Sequence, residues 1–185
     1  MHSFDDHHIM QQVRDGQVEK LGLLFERYHK QLYNLFLWQT HRPALAEDLV
    51  QEVFYRILKY RRTYRGDGQF KTWMFSIAHS ARADHFRKKR HPTSSLEENS
   101  NLQDGSPHPD QVAEKNEQSR LLHQALSKLS ENKRAMLYMS RFENMKYEDI
   151  AEVMGCKTGT VKSTIHFALK ELAVQYEKLS KEETP

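Results

Sequence analysis

Aromatic and basic side chains alternate through residues 55–90 in a pattern suited to an unpaired polyanion. Tyr60, Tyr64, Phe70, Trp73, Phe75 and Phe86 are interleaved with Arg61, Arg62, Arg65, Lys71, Arg82, Arg87, Lys88, Lys89 and Arg90. Ring faces stack on unpaired bases while cations follow a phosphate backbone. Phe75 and Ile77 read as core. For Tyr64, Phe70 and Trp73, beside the loop Arg65-Gly66-Asp67-Gly68, contact with DNA and support of a core both fit. Just upstream, Glu47, Asp48, Gln51, Glu52 and Tyr55 share one helix side at three- and four-residue steps. Leu49, Val50, Val53 and Ile57 lie mostly elsewhere on that helix, so an acidic-polar patch precedes the basic block.

A second constellation lies at residues 147–172. Ile150, Ala151, Val153 and Met154 give one short helix an apolar side, and Gly155 stands where a chain leaving a helix needs a left-handed residue. Val161, Ile165, Ala168, Leu169 and Leu172 give the next helix an inner face. A turn as short as Gly155-Cys156-Lys157 makes the two helices cross steeply, as in a helix-turn-helix. The outer N-terminal face is then Lys157, Thr158, Thr160, Lys162, Ser163 and His166. Lysines there attract phosphates; serine, threonine and histidine reach base edges in a major groove. An ordinary helical hairpin is the bland alternative, and the basic outer face argues against it. Cys156 reads as small core filler in preference to a redox switch.

Composition agrees with a nucleic-acid partner. Residues 55–90 carry eleven Lys/Arg against Asp67 and Asp84, a local excess of +9, whereas the whole chain of 185 residues is only +3. Residues 91–114 reverse the sign, with five acids and no Lys or Arg. Such segregation marks a polyanion-binding block. One cysteine excludes a disulfide framework and a cysteine-based metal site. The eleven histidines form no metal-ligand cluster and no pair four apart with a carboxylate base, so no metal, cofactor or enzymatic chemistry is expected. No apolar run approaches membrane-spanning length and the polar N-terminus is no signal peptide, so an intracellular protein without membrane insertion is expected.

These side chains need helices to position them. Apolar spacing predicts helices over about 5–14, 18–40, 43–60 with Pro43 in the first turn, and 70–89. Residues 91–112 are polar and acidic and hold three of the five prolines, which reads as a flexible linker. Helices follow over about 113–129, 134–142 with Ser130 as N-cap, 147–154 and 158–179. The fold class is all-α: two small helical domains joined by an acidic linker, the second containing the helix-turn-helix. Their limits are 1–90, 91–112 and 113–185.

Together these motifs resemble the sigma factors of bacterial RNA polymerase, in the compact extracytoplasmic-function (ECF) group. The resemblance rests on Glu47-Asp48-Leu49-Val50-Gln51-Glu52-Val53-Phe54; on Arg65-Gly66-Asp67, Phe70, Thr72-Trp73 and Ile77-Ala78; on Asp84 with Arg87; and on Tyr147, Ile150-Ala151, Gly155 and the run Gly159-Thr160-Val161-Lys162-Ser163. It implies a subunit that docks on core RNA polymerase through Asp48, Gln51, Glu52 and Tyr55. It implies minus-ten contacts, with the melted non-template strand, by Tyr64, Arg65, Asp67, Phe70, Lys71, Trp73, Ser80, Arg82 and Arg87, with the loop near Tyr64 capturing an extruded base. The outer face of the last helix would read the minus-thirty-five duplex. An anti-sigma factor or a response regulator is a further partner class, and a cytoplasmic monomer is the expected free form. Three positions depart from the family pattern: Ser80 where Asn is usual, and Thr164 and Phe167 where Arg is frequent. A stand-alone helix-turn-helix regulator is the rival reading, with the N-terminal helices as sensor or dimerisation domain. It leaves the basic aromatic block and the acidic patch without a purpose.

Overall fold

The computed structural model describes residues 5–90 and 117–182. The described residues form eight α-helices and no strand: α1 (Asp6–Arg14), α2 (Leu21–Thr40), α3 (Pro43–Tyr60), α4 (Phe70–Arg90), α5 (Glu117–Lys128), α6 (Glu131–Arg141), α7 (Tyr147–Met154) and α8 (Thr158–Glu182). Single 3-10 turns precede α2 and follow α3. The all-α expectation holds, and most boundaries agree within a few residues. The linker and residues 113–116 lie outside the described residues.

The helices group into two compact units. Unit 1 holds α1, α2 as far as Asn34, α3 and α4. Its core draws Ile9, Met10 and Val13 from α1, Leu24 and Leu32 from α2, Leu49, Val53 and Ile57 from α3, and Met74, Phe75 and Ala78 from α4. The three- and four-residue spacing of these positions explains why each helix buries one side.

Unit 2 holds Leu35–Pro43 and α5 to α8, with α8 packed on α5, α6 and α7. Leu121, Ala125, Met136, Met139, Ile150, Val161 and Ile165 are buried within it. Arg134 of α6 is buried as well, and its guanidinium donates to the carbonyls of Gln39 (2.7 Å) and Ser127 (3.1 Å) and to His41 Nε2 (2.7 Å). Burial, then the charges of Arg134 and His123, push the His41 imidazole down to about 4. Ser130 does occupy the N-cap of α6, but the helix begins at Glu131 and no side-chain bond caps it.

Candidate nucleic-acid interfaces

The helix-turn-helix forms where the residue types place it. Gly155 closes α7 in the left-handed region (φ 61, ψ 38), and the Cys156 amide returns to the Ala151 carbonyl at 3.0 Å. Val161, Ile165 and Ala168 are buried under α8, Leu172 is half-buried, and Leu169 is exposed. Leu169 therefore leaves the inner face assigned to it, because it is rotated well away from the Val161–Ile165–Ala168 line. On the outer side Lys157, Thr160, Lys162, Ser163 and His166 are exposed and Thr158 is half-buried. Ser163 Oγ donates to the Thr160 carbonyl (3.0 Å), which commits its proton and leaves the exposed oxygen able to accept. Cys156 is a half-buried free thiol.

In unit 1 the loop of residues 65–69 sits on an aromatic cluster. The Tyr64 ring contacts Trp73 (centroids 5.0 Å) and Phe70 (6.2 Å), and Phe70 contacts Tyr28 (5.6 Å). Tyr64 is 4% exposed and Phe70 3%. Of the two placements open to them, both occupy the core; Trp73 is half-buried at its edge. Burial, reinforced by Asp5, Asp6 and Asp67, pushes the Tyr64 phenol up. Arg65 and Asp67 are exposed on the loop, Lys71 is half-buried, and Ser80 is exposed one turn past Phe75, which is fully buried, and Ile77, which is half-buried.

Arg82 differs from expectation. It is 7% exposed, with its guanidinium 5.0 Å from the Phe86 ring centroid. A long aliphatic stem lets arginine fill core space while its head stacks on an aromatic face, so a basic residue in a basic run is not thereby at the surface. Arg87 is exposed and bonds Asp84 at 2.8 Å. Asp84 also accepts from Arg56 of α3 (2.8 Å), and Arg56 Nε bonds Glu52 (2.6 Å). The Arg56 hydrogen bond is the chief reason the Asp84 carboxyl stays below its ordinary range. Asp48, Gln51 and Tyr55 are exposed on α3 beside Glu52, so the structure brings the acidic-polar patch together.

Sequence reasoning missed the support beneath the loop. Helix α1 lays His7 over Gly66: the imidazole Nδ1 is 3.0 Å from the Tyr64 hydroxyl, and the Gln11 amide donates to Nε2 at 2.7 Å. Asp6 accepts from the Tyr28 hydroxyl and from Arg27. A Cβ on Gly66 would lie 2.0 Å from His7 Cε1, and Gly66 has φ 76, so this position needs glycine for space and for conformation. Gly66→Ala is expected to lower unfolding free energy by about 1–3 kcal/mol, through strain and displaced hydrogen bonds. His7→Ala combined with Gly66→Ala should then lose less than the two single changes added together, measured by denaturant unfolding. Strict additivity would mean the two sites do not touch.

The Sigma-70 region 2 profile matches residues 24–91, and the Sigma-70, region 4 profile matches residues 119–172. The chain is 30% identical over 169 residues to the RNA polymerase sigma-H factor of Pseudomonas aeruginosa, covering 86% of this chain and 88% of that one. It is 29% identical over 162 residues to RNA polymerase sigma factor YlaC of Bacillus subtilis, covering 86% and 94%. The ECF RNA polymerase sigma factor SigX of the same organism is 28% identical over 169 residues, with 89% and 87% covered. Among solved structures, CnrH in complex with the cytosolic domain of CnrY has a similar fold, at a TM-score of 0.69 and 18% identity over 94% of this chain and 97% of that one. The sigma factor RpoE bound to the anti-sigma factor NepR from Bartonella quintana gives a TM-score of 0.67 at 21% identity, covering 84% and 96%. A stand-alone regulator would account for α7 and α8 alone, whereas the region 2 match spans the other block. Both blocks, and relatives matched across most of their length, make this chain a member of the sigma-70 family of RNA polymerase sigma factors, in its ECF group.

Proposed function

We propose that the family's two tasks, binding core RNA polymerase and binding promoter DNA, are divided among three surfaces of this chain. The exposed side of α3, with Asp48, Gln51, Glu52 and Tyr55, docks on the polymerase. The loop of residues 65–69 and the exposed side of α4 hold the melted minus-ten strand. Arg65, Asp67, Lys71 and Trp73 form the rim around an extruded base, and Ser80 and Arg87 lie further along α4. Tyr64, Phe70 and Arg82 support that rim from within. Trapping a flipped base offsets the few kcal/mol its unstacking costs. The outer face of α8 reads the minus-thirty-five duplex. Residues 1–90 and 113–185 act as the two sigma domains, with 91–112 as linker. The protein initiates transcription without catalysing a reaction of its own, and it works where polymerase works, in the bacterial cytoplasm. No described helix is long and apolar enough to cross a membrane. An anti-sigma factor is a fitting regulator, since the similar RpoE structure is a complex with one.

The observation that carries this reading is the basic outer face of α8, free of carboxylates over residues 157–170, on the same chain as the exposed α3 patch and the loop. In vitro transcription with core polymerase across a promoter library tests it; transcripts no more selective than those of core enzyme alone would overturn it. Ser163→Ala or His166→Ala is expected to re-rank promoters, by about 1–3 kcal/mol per lost base contact. Lys162→Ala should weaken all promoters evenly and reduce the salt slope by about one. The reverse pattern would mean that α8 lies in the groove differently.

A further inference from the structure

Phe167 is 59% exposed on α8, where its outward neighbours Thr160, Ser163 and Lys170 are polar or basic. A helix turns about 100° per residue, which sets Phe167 opposite the buried Val161–Ile165–Ala168 line and on the side of Thr160 and Ser163. His166 meets its ring edge-on, with centroids 5.6 Å apart and planes at 70°. From Lys157 to Lys170 the chain has no carboxylate, and Glu171, one turn past the ring, is paired with Lys133 of α6, so the surface on the N-terminal side of the ring complements a polyanion. At 1.5 Å per residue Phe167 lies about 14 Å along α8 from Thr158, within the first three turns, which a recognition helix lays against bases. Val174, 63% exposed, is about 10 Å further along and beyond that reach.

A phenyl ring offers no hydrogen bond to a base edge or a phosphate. The apolar feature that a major groove presents to it is the thymine C5 methyl group. We infer that Phe167 contacts a thymine methyl in the upstream promoter element and makes that thymine a requirement of this sigma factor. This rests on the reading of α8 as the helix that enters the minus-thirty-five duplex. An arginine at the same place would seek guanine or phosphate instead, so the substitution changes which base is read and not merely how tightly DNA is held.

The test uses holoenzyme assembled from core polymerase and the full chain. Selection from a library randomised in the upstream element should return at least one strongly preferred thymine. Replacing that thymine by deoxyuridine removes only the methyl group. It should weaken holoenzyme binding about fourfold, the scale of one buried methyl. Phe167→Ala, at an exposed position, should bind the thymine duplex about as weakly and show no further loss with deoxyuridine. Phe167→Arg should lose the thymine preference. Selection without a preferred thymine, indifference of the unaltered chain to deoxyuridine at every thymine, or equal sensitivity in Phe167→Ala would each overturn the inference. If Lys162→Ala and Ser163→Ala also left binding and promoter choice unchanged, the failure would belong to the placement of α8 itself. If they acted as expected and only the deoxyuridine effect were missing, Phe167 alone would be misassigned.

Discussion

Tyr64→Ala is expected to lower the unfolding free energy of unit 1 by about 3–5 kcal/mol, the usual cost of truncating a buried aromatic. The ring is buried against Phe70, Trp73 and His7, and its hydroxyl meets the His7 imidazole. Removing it opens a cavity under the loop and leaves His7 without that bond. Tyr64→Phe keeps the packing and forfeits one hydrogen bond, so about 1 kcal/mol should be lost. Denaturant unfolding of the full chain, followed by tryptophan fluorescence with Trp38→Phe as the common background so that Trp73 reports alone, reads both. Promoter opening, followed by permanganate reactivity of thymines, should fall with Tyr64→Ala and hold with Tyr64→Phe. A Tyr64→Ala chain as stable as the parent but unable to open promoters would instead make Tyr64 a stacking partner of the extruded base.

Asp48→Lys together with Glu52→Lys should abolish binding to core polymerase, by roughly a hundredfold or more. Losing one partner of a buried, hydrogen-bonded interfacial charge costs about 2–5 kcal/mol. The two positions differ in what else they touch. Asp48 is exposed, so Asp48→Lys alone should change unfolding free energy by less than about 0.5 kcal/mol. Glu52 holds Arg56, so a lysine there faces a cation and carries some stability loss with it. A pull-down with core polymerase that registers no weakening in the Asp48→Lys chain would remove this side of α3 from the docking surface.

The helices were legible because punctuation and periodicity agreed. Pro43, Gly155 and the Asp15-Gly16 break sit at helix ends, and core positions repeat at helical spacing between them. The depth of amphipathic side chains was not legible. Tyr64, Phe70 and Arg82 belong to residue types that bury an apolar body and can still present a polar or flat face. A one-dimensional pattern does not say which applies. Contacts between distant positions were also hidden: His7 reaches Tyr64 across 57 residues, and Arg56 reaches Asp84 across 28. Leu169 shows the limit of counting apolar residues on a long helix, where the position next to a buried one already faces water.

The chain of charges Glu52–Arg56–Asp84–Arg87 joins the side of α3 proposed to dock on polymerase with the side of α4 proposed to hold the strand. On that reading, a polymerase cation that drew Glu52 away would leave Arg56 leaning on Asp84, and Asp84 would then have less to give Arg87. The freed guanidinium is available to phosphate. Binding free energies linked this way are reciprocal: whatever factor polymerase adds to strand affinity, the strand adds to polymerase affinity. Arg56→Gln should bring that shared factor toward one while each partner still binds singly. Affinities for a minus-ten single strand, measured with and without core polymerase, would show it, and an unchanged factor would make the four charges simple braces.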